Sequence, residues 1–129
     1  MLVVVGNDLW TANPSKAATL EKIPERIALS SWSDATVRAS TLGVGVRAWA
    51  EVRGTMVNVQ GRIQIVNAAP ILPSPDLEPT WQVLSTAGRL GWTSELDAFR
   101  FAQSRIPSLV GLTYRTIGPQ GRLLEGAEA

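Results

Sequence analysis

Cysteine and histidine are both absent from this chain of 129 residues. Iron–sulfur clusters need thiolate ligands, with histidine as an occasional substitute, and zinc sites use cysteine, histidine and carboxylate. Nucleophilic triads and most proton shuttles rely on histidine. We therefore assign no catalytic residue and no metal ligand, and we expect the chain alone to bind no cofactor.

Long apolar runs and clustered charges are missing as well. The apolar run Leu2–Val5 is far shorter than the roughly 20 residues that cross a bilayer. We do not expect it to be a signal peptide, because no basic segment precedes it and Asp8 follows closely. The net charge is +1, with acids and bases interspersed, which argues against a nucleic-acid partner. The sequence predicts a chain that is soluble or is held at a membrane by partners.

The first third of the chain alternates strand and helix patterns. Leu2–Val5 is an apolar run rich in β-branched residues, typical of a buried parallel strand. Asn13-Pro14 is a helix start, and 26–29 predicts a second strand. A single helical turn is expected at 36–40 and a third strand at 41–46. This order predicts an α/β fold with a Rossmann-like sheet of short strands and flanking helices.

The length predicts one domain over 1–129, with a frayed tail at 125–129. The loop after the first strand, Gly6-Asn-Asp-Leu, lacks the G-x-G-x-x-G phosphate cradle. A classical dinucleotide site is therefore not expected.

Residues 67–79 are rich in proline and show little periodicity. Because proline lacks the donor that a central strand needs, this segment predicts an extended surface loop or arm, which either binds a partner or is a plain linker. Its apolar residues Ile71, Leu72 and Leu77 require either a groove on their own domain or a partner surface, so they are interface candidates.

Two helices are predicted in the second half of the chain. The first carries Trp81 on its apolar face and ends at Gly91. The second opens with a capping box at 94–97 and has an apolar stripe made of Leu96, Phe99, Ala102 and Ile106. A last strand is predicted at 112–117.

Five tryptophans are many for a chain of this size. The helical phase of Trp81 places it in the core. The other four lie near loops or element ends, where large aromatic residues serve as lids over a core or as contacts with other subunits. They are therefore interface candidates: Trp10, Trp32, Trp49 and Trp92.

The segment 51–62 carries the most informative pattern in the chain. Gly54 and Gly61 occupy positions where the backbone turns or approaches another group closely, with a short strand between them. The local pattern favours a hairpin or a strand–loop–strand corner. Glu51 and Arg62 flank it, and we expect an ion pair or a backbone clamp there. Asn58 is expected to bond a neighbouring loop.

The same segment resembles the E-x-x-G-T-x-x-N-x-x-G-R-x-Q element of the molybdopterin oxidoreductase superfamily. The matching positions are Glu51, Gly54, Thr55, Asn58, Gly61, Arg62 and Gln64. The proline-rich loop, the helix that begins with Trp81, and the stretches 107–112 and 118–121 also fit this family. Gln60 departs from the acid that is usual there, and 33–46 lacks the family's acidic and proline positions. The nearest similarity is to the C-terminal domain of the large iron–sulfur subunit of NADH–quinone oxidoreductase (complex I).

The resemblance implies a non-catalytic structural subunit, or a separately encoded domain, that braces the cluster-bearing subunits of a complex I peripheral arm or a related redox complex. Its partners would be other subunits, above all an iron–sulfur subunit. It would lie on the cytoplasmic side and meet the membrane only through the complex. One alternative is a piece of a split molybdopterin-dependent enzyme of the formate-dehydrogenase type, with Asn58 and Arg62 as candidate pterin contacts. Another is a free-standing small α/β ligand-binding domain.

Overall fold

The computed structural model describes residues 1–70 and 74–124, which form a mixed α/β structure with two sheets of three strands. The predicted α/β class is confirmed. The chain groups into two compact units. The parallel unit comprises Met1–Ala48 and Pro73–Val83, and the antiparallel unit comprises Trp49–Leu72 and Leu84–Ala129. Ile71 and Leu72 of the predicted arm, and the predicted tail at 125–129, lie outside the described residues.

The sheet of the parallel unit contains β1 (Leu2–Val5), β2 (Arg26–Ser30) and β3 (Leu42–Gly45). All neighbouring strands are parallel, and their order in the sheet is β1-β2-β3. The three strands lie within or close to the predicted segments 2–5, 26–29 and 41–46. Because paired residues project to the same side of a sheet, the register aligns side chains in rows across the strands.

Short helices connect these strands: α1 (Leu9–Ala12), a 3-10 turn at Pro14–Lys16, α2 (Ala17–Leu20) and α3 (Ala35–Ala39). Right-handed crossovers between strands that follow in order place their helices on one face of the sheet. Two contacts fit this arrangement. The Trp10 backbone N–H in α1 donates to Thr36 Oγ1 in α3 at 3.2 Å. A Cβ on Gly43 would lie 3.0 Å from Val37 of α3, so α3 packs closely on β3.

The antiparallel unit contains β4 (Gly54–Val57), β5 (Arg62–Val66) and β6 (Arg122–Leu123), with β5 in the centre. Its helices are α5 (Glu95–Gln103), α6 (Tyr114–Ile117) and 3-10 turns at Trp49–Glu51 and Pro107–Leu109. Helix α4 (Thr80–Gly88) precedes α5 and ends in this unit. The core consists of five buried side chains: Ile63, Phe99, Leu109, Leu112 and Ile117.

The prediction of a last strand at 112–117 is wrong, because Tyr114–Ile117 form the helix α6. Thr113 caps the helix, since its hydroxyl accepts from the Thr116 backbone N–H at 3.1 Å. This local bond competes with strand formation. The strand near this end of the chain is β6, which pairs with β5 through Arg62↔Leu123 and Ile63↔Arg122.

Helix α4 ends earlier than predicted. Arg89 adopts a left-handed backbone with φ 50°, and the Leu90 N–H donates to the Ser85 carbonyl at 2.9 Å. This is the bond pattern of a Schellman motif, so the helix ends at Gly88 and not at Gly91. Trp81, predicted for the core, is half-buried.

Helix α5 begins as predicted, with the reciprocal Ser94 and Asp97 capping box. Four hydrogen bonds to the Asp97 carboxylate, led by those from Thr93, lower its pKa to about 2. The predicted apolar stripe is only partly buried. Phe99 and Ala102 join the core, whereas Leu96 and Ile106 remain exposed.

The part of the predicted arm at 74–79 packs against the parallel unit. Glu78 forms a parallel bridge with Val46, and its carbonyl accepts from the Arg47 backbone N–H at 3.0 Å. The Leu77 carbonyl accepts from Arg47 Nε at 2.7 Å, and the Leu77 side chain lies beside Gly45. Leu77 is therefore half-buried on its own unit instead of extending away from it.

Candidate functional site

We call the segment 51–64, which carries the family resemblance, the signature. Most of it lies in a β-hairpin, as the local pattern predicted. β4 and β5 pair from Gly54↔Val66 to Val57↔Ile63, and the turn begins at Asn58. The Asn58 Oδ1 atom accepts from the backbone N–H groups of Gln60 and Arg62, both at 3.0 Å. Asn58 is exposed and bonds within its own turn, so the prediction that it bonds a neighbouring loop is wrong. A side chain that closes a turn in this way is a structural element of the hairpin.

The two signature glycines differ in what they require. Gly61 has φ 71°, in the left-handed region that side chains other than glycine adopt at a cost. Gly54 lies in β4 without a positive φ, and a Cβ there would meet nothing within 4 Å. The requirement for glycine predicted at both positions therefore holds only at Gly61.

Arg62 and Gln64 face a second turn, Gly118-Pro-Gln-Gly121. The Arg62 guanidinium lies 3.5 Å from the Gln120 carbonyl oxygen and 3.4 Å from that of Gly121. Arg62 therefore holds a distant segment of backbone, and the expected ion pair or clamp between Glu51 and Arg62 across their own corner stays a prediction. Glu51 ends a 3-10 turn and is half-buried, and Thr55 pairs with Ile65.

The candidate pterin contacts, Asn58 and Arg62, have both side chains engaged in these turns. Contact with a pterin at these positions stays a prediction. Among residues 1–70 and 74–124, no group of three acidic, histidine or cysteine side chains is placed to hold a metal ion.

The Asp8 carboxylate of the parallel unit accepts hydrogen bonds from two helices. It follows β1, at the edge of the sheet where α/β proteins often display functional groups. Its Oδ1 atom accepts from Thr11 N at 3.3 Å, from Thr36 N at 3.2 Å and from Thr36 Oγ1 at 3.1 Å. These bonds, first of all those from Thr11, hold the Asp8 pKa below its ordinary value. Asp8 therefore caps α1 and ties it to α3.

The four predicted interface tryptophans have different environments. Trp10 is buried in the parallel unit, so it belongs to the core and offers no free surface. Trp92 is half-buried and packs on Phe101, with the ring centroids 5.1 Å apart. Trp32 and Trp49 are largely exposed. Of the predicted set, only these two present large aromatic surfaces to solvent.

One face of the parallel sheet is partly exposed. Two rows of side chains cross it: Val3, Ile27 and Leu42, then Val5, Leu29 and Val44. On the outer strands Val3, Val5 and Leu42 are 43%, 45% and 53% exposed, whereas Leu29 in the central strand is 3% exposed. On the opposite face Val4 and Ala28 are buried, whereas Gly43 and Gly45 of β3 are exposed. Parallel sheets normally have both faces covered.

The exposure of Val3 and Val5 contradicts the prediction that β1 is a fully buried strand. The sequence shows a continuous apolar run, but β1 lies at the edge of the sheet and alternates between a buried and an exposed face. An edge strand usually carries lysine, proline or a bulge that blocks further pairing. β1 reads Leu-Val-Val-Val and has none of the three.

We call the outer edge of β1 together with Val3, Val5 and Leu42 the β1 surface. Its apolar character and open strand edge suit contact with another polypeptide. Among the described residues no helix is both long and apolar enough to cross a bilayer. Comparison with protein-family models and with curated proteins gave no match for this chain.

Proposed function

We propose that this chain is a non-catalytic assembly module that buries its β1 surface against a partner polypeptide. The observation that carries the proposal is the exposure of Val3, Val5 and Leu42, three apolar side chains on the outer strands of a parallel sheet. Such a sheet is stable with both faces covered, and the chain's own crossover helices cover one. The partner would extend the sheet at β1, cover the exposed face, or do both.

We propose further that the partner is an iron–sulfur subunit of an NADH–quinone oxidoreductase or a related redox complex. The support is the segment from Glu51 to Gln64, whose Asn58 and Arg62 side chains hold turns of the antiparallel unit and so fit a structural role. In that assembly the chain would brace the cluster-bearing subunits from the cytoplasmic side and reach the membrane only through them. The absence of cysteine and histidine suits a member that carries no cluster itself.

The free energy that this contact contributes to association can be estimated. Full burial of a valine or leucine side chain contributes about 1.5–3 kcal/mol, and roughly half of that remains available at a half-exposed position. Burial of Val3 and Leu42 by a partner would thus contribute about 1 kcal/mol each. Losing both would weaken association about 30-fold, since every 1.4 kcal/mol is a factor of ten.

A co-purification experiment tests both parts of the proposal. The chain is tagged, expressed in its native host and purified, and its partners are identified by mass spectrometry. We expect an iron–sulfur subunit, and we expect the variant Val3→Ser/Leu42→Ser to lose it while keeping a native circular-dichroism spectrum. The control is Val59→Ser, which alters an exposed apolar residue of the hairpin turn.

Two outcomes contradict the proposal separately. Retention of the same partner by the double variant would exclude the β1 surface as the contact. Recovery of a partner without redox subunits would exclude the redox complex and leave the assembly module. Recovery of pterin-binding subunits would favour the split molybdopterin enzyme.

A further inference from the structure

The antiparallel unit has a cleft of about 460 Å³ between its sheet and α6. Arg53, Asn67 and Arg115 line it with polar groups, and Ile65, Tyr114 and Pro119 add apolar walls. No aspartate or glutamate is among the described residues that line it. The cleft therefore combines two positive charges with a partly apolar wall.

The first arginine is held in place by an aromatic ring. The Arg53 guanidinium carbon lies 5.0 Å from the centroid of the Tyr114 ring, within the range of a cation–π contact. Tyr114 is itself fixed, because its ring packs edge-on against buried Phe99 with the centroids 5.9 Å apart. A guanidinium that rests on a packed ring loses little freedom when it binds an anion.

The charge of the whole unit favours an anionic ligand. Its sequence holds seven arginines and five acids, a net charge of +2, whereas the complete chain carries +1. The acids are Glu51, Glu95, Asp97, Glu125 and Glu128. Asp97 is occupied by the α5 cap and by Arg100, so it does not offset the arginines of the cleft. A field of this sign raises the local concentration of anions.

We propose that this cleft binds the oxyanion group, phosphate or carboxylate, of a small molecule that carries a short apolar body. Arg53 and Arg115 supply forked donors that match an oxyanion bidentately. Ile65 and Pro119 contact the apolar body, and the Asn67 amide lies at the same wall. All these groups belong to the antiparallel unit, so the site is independent of the β1 surface.

Isothermal titration calorimetry on the full chain tests the site. The probes are phenyl phosphate, benzoate and inorganic phosphate. We expect at least one of the two aryl probes to bind more tightly than inorganic phosphate, and Arg53→Gln or Arg115→Gln to weaken it about 10- to 100-fold. Binding of phenyl phosphate alone identifies a phosphate ligand, and binding of benzoate alone a carboxylate ligand.

The matched control is Arg105→Gln. Arg105 is exposed in the same unit and lies 4.7 Å from the Phe101 ring centroid, so the variant removes the same charge and the same kind of ring contact outside the cleft. It should leave binding unchanged. Equal weakening in this control, or no binding of either aryl probe, overturns the proposal.

A second readout does not depend on a variant. Tyr114 is the single tyrosine of the chain, so phenolate absorbance reports its ionisation alone. Burial and the neighbouring Glu95 raise the Tyr114 pKa, and the charge of Arg53 opposes them. An anion bound beside Arg53 compensates that charge and should raise the pKa further. An unchanged pKa under saturating phenyl phosphate and benzoate also overturns the proposal.

Discussion

Replacing Gly121 by alanine should destabilise the protein by about 2–5 kcal/mol. Gly121 is the last residue of the turn that packs on β5. Two separate restrictions disfavour any side chain at this position. Its φ is 70°, in the left-handed region. A Cβ at this position would also lie 2.5 Å from the Ile63 carbonyl oxygen and 2.6 Å from Gln64 Cγ. No other glycine with positive φ and a mapped Cβ combines both restrictions.

The magnitude follows from these two restrictions. A left-handed backbone costs a residue with a side chain about 1–2 kcal/mol. The contact with the Ile63 carbonyl adds about 1–3 kcal/mol, as overpacking does elsewhere. This carbonyl cannot move aside easily, because Ile63 is buried and its strand is paired on both sides, with Val57 and with Arg122. Displacing the turn would also weaken the Arg62 clamp.

Urea denaturation of Gly121→Ala and Gly111→Ala separates the two restrictions. Gly111 has φ 76°, but a Cβ there would meet nothing within 4 Å. It should therefore lose only the conformational part, about 1–2 kcal/mol. If both variants lost the same free energy of unfolding, the close approach of Gly121 to β5 would not be a real constraint and the reasoning would fail.

Three further predictions concern the antiparallel unit. Gly61→Val should lower the free energy of unfolding by about 1–3 kcal/mol, because φ is 71° at this position. Gly54→Val should change it little, because a Cβ there meets nothing within 4 Å. Equal losses of the free energy of unfolding in urea would contradict this prediction. The Asp97 pKa is lowered from 3.8 to about 2, so its stabilising effect is present above 3.8 and is lost as the pH falls toward 2. Asp97→Asn should remove that part of the acid dependence of the urea midpoint, and an unchanged dependence would exclude the cap as its source. Tyr114→Phe should leave stability unchanged or slightly raised, since the buried hydroxyl has no hydrogen-bond partner among the described residues; a clear loss would reveal a partner.

The sequence located the strands of the parallel sheet but not their exposure. Short apolar segments are local signals, and β1, β2 and β3 lie where those signals are. Exposure depends on the order of strands and on which face the helices cover. The residues Leu2–Val5 determine neither property, so the sequence did not predict the β1 surface.

Local capping explains other differences between prediction and structure. The segment 112–117 is rich in apolar and β-branched residues, yet the bonds between Thr113 and Thr116 start a helix there.

The hairpin of the signature was predictable, because Asn58 and Gly61 are turn residues in a pattern that is read locally. The Arg53–Tyr114 cleft was not, since its residues are far apart in the sequence and meet only in the folded unit.

The course of the chain through the two units has a consequence for dissecting the protein. The parallel unit is completed only when the chain returns at 74–79, where Glu78 pairs beside β3 at Val46. A fragment that stops at Ala48 would leave that edge bare, and one that starts at Trp49 would carry the covering segment away from its sheet. Neither unit can therefore be expressed as one continuous stretch of gene.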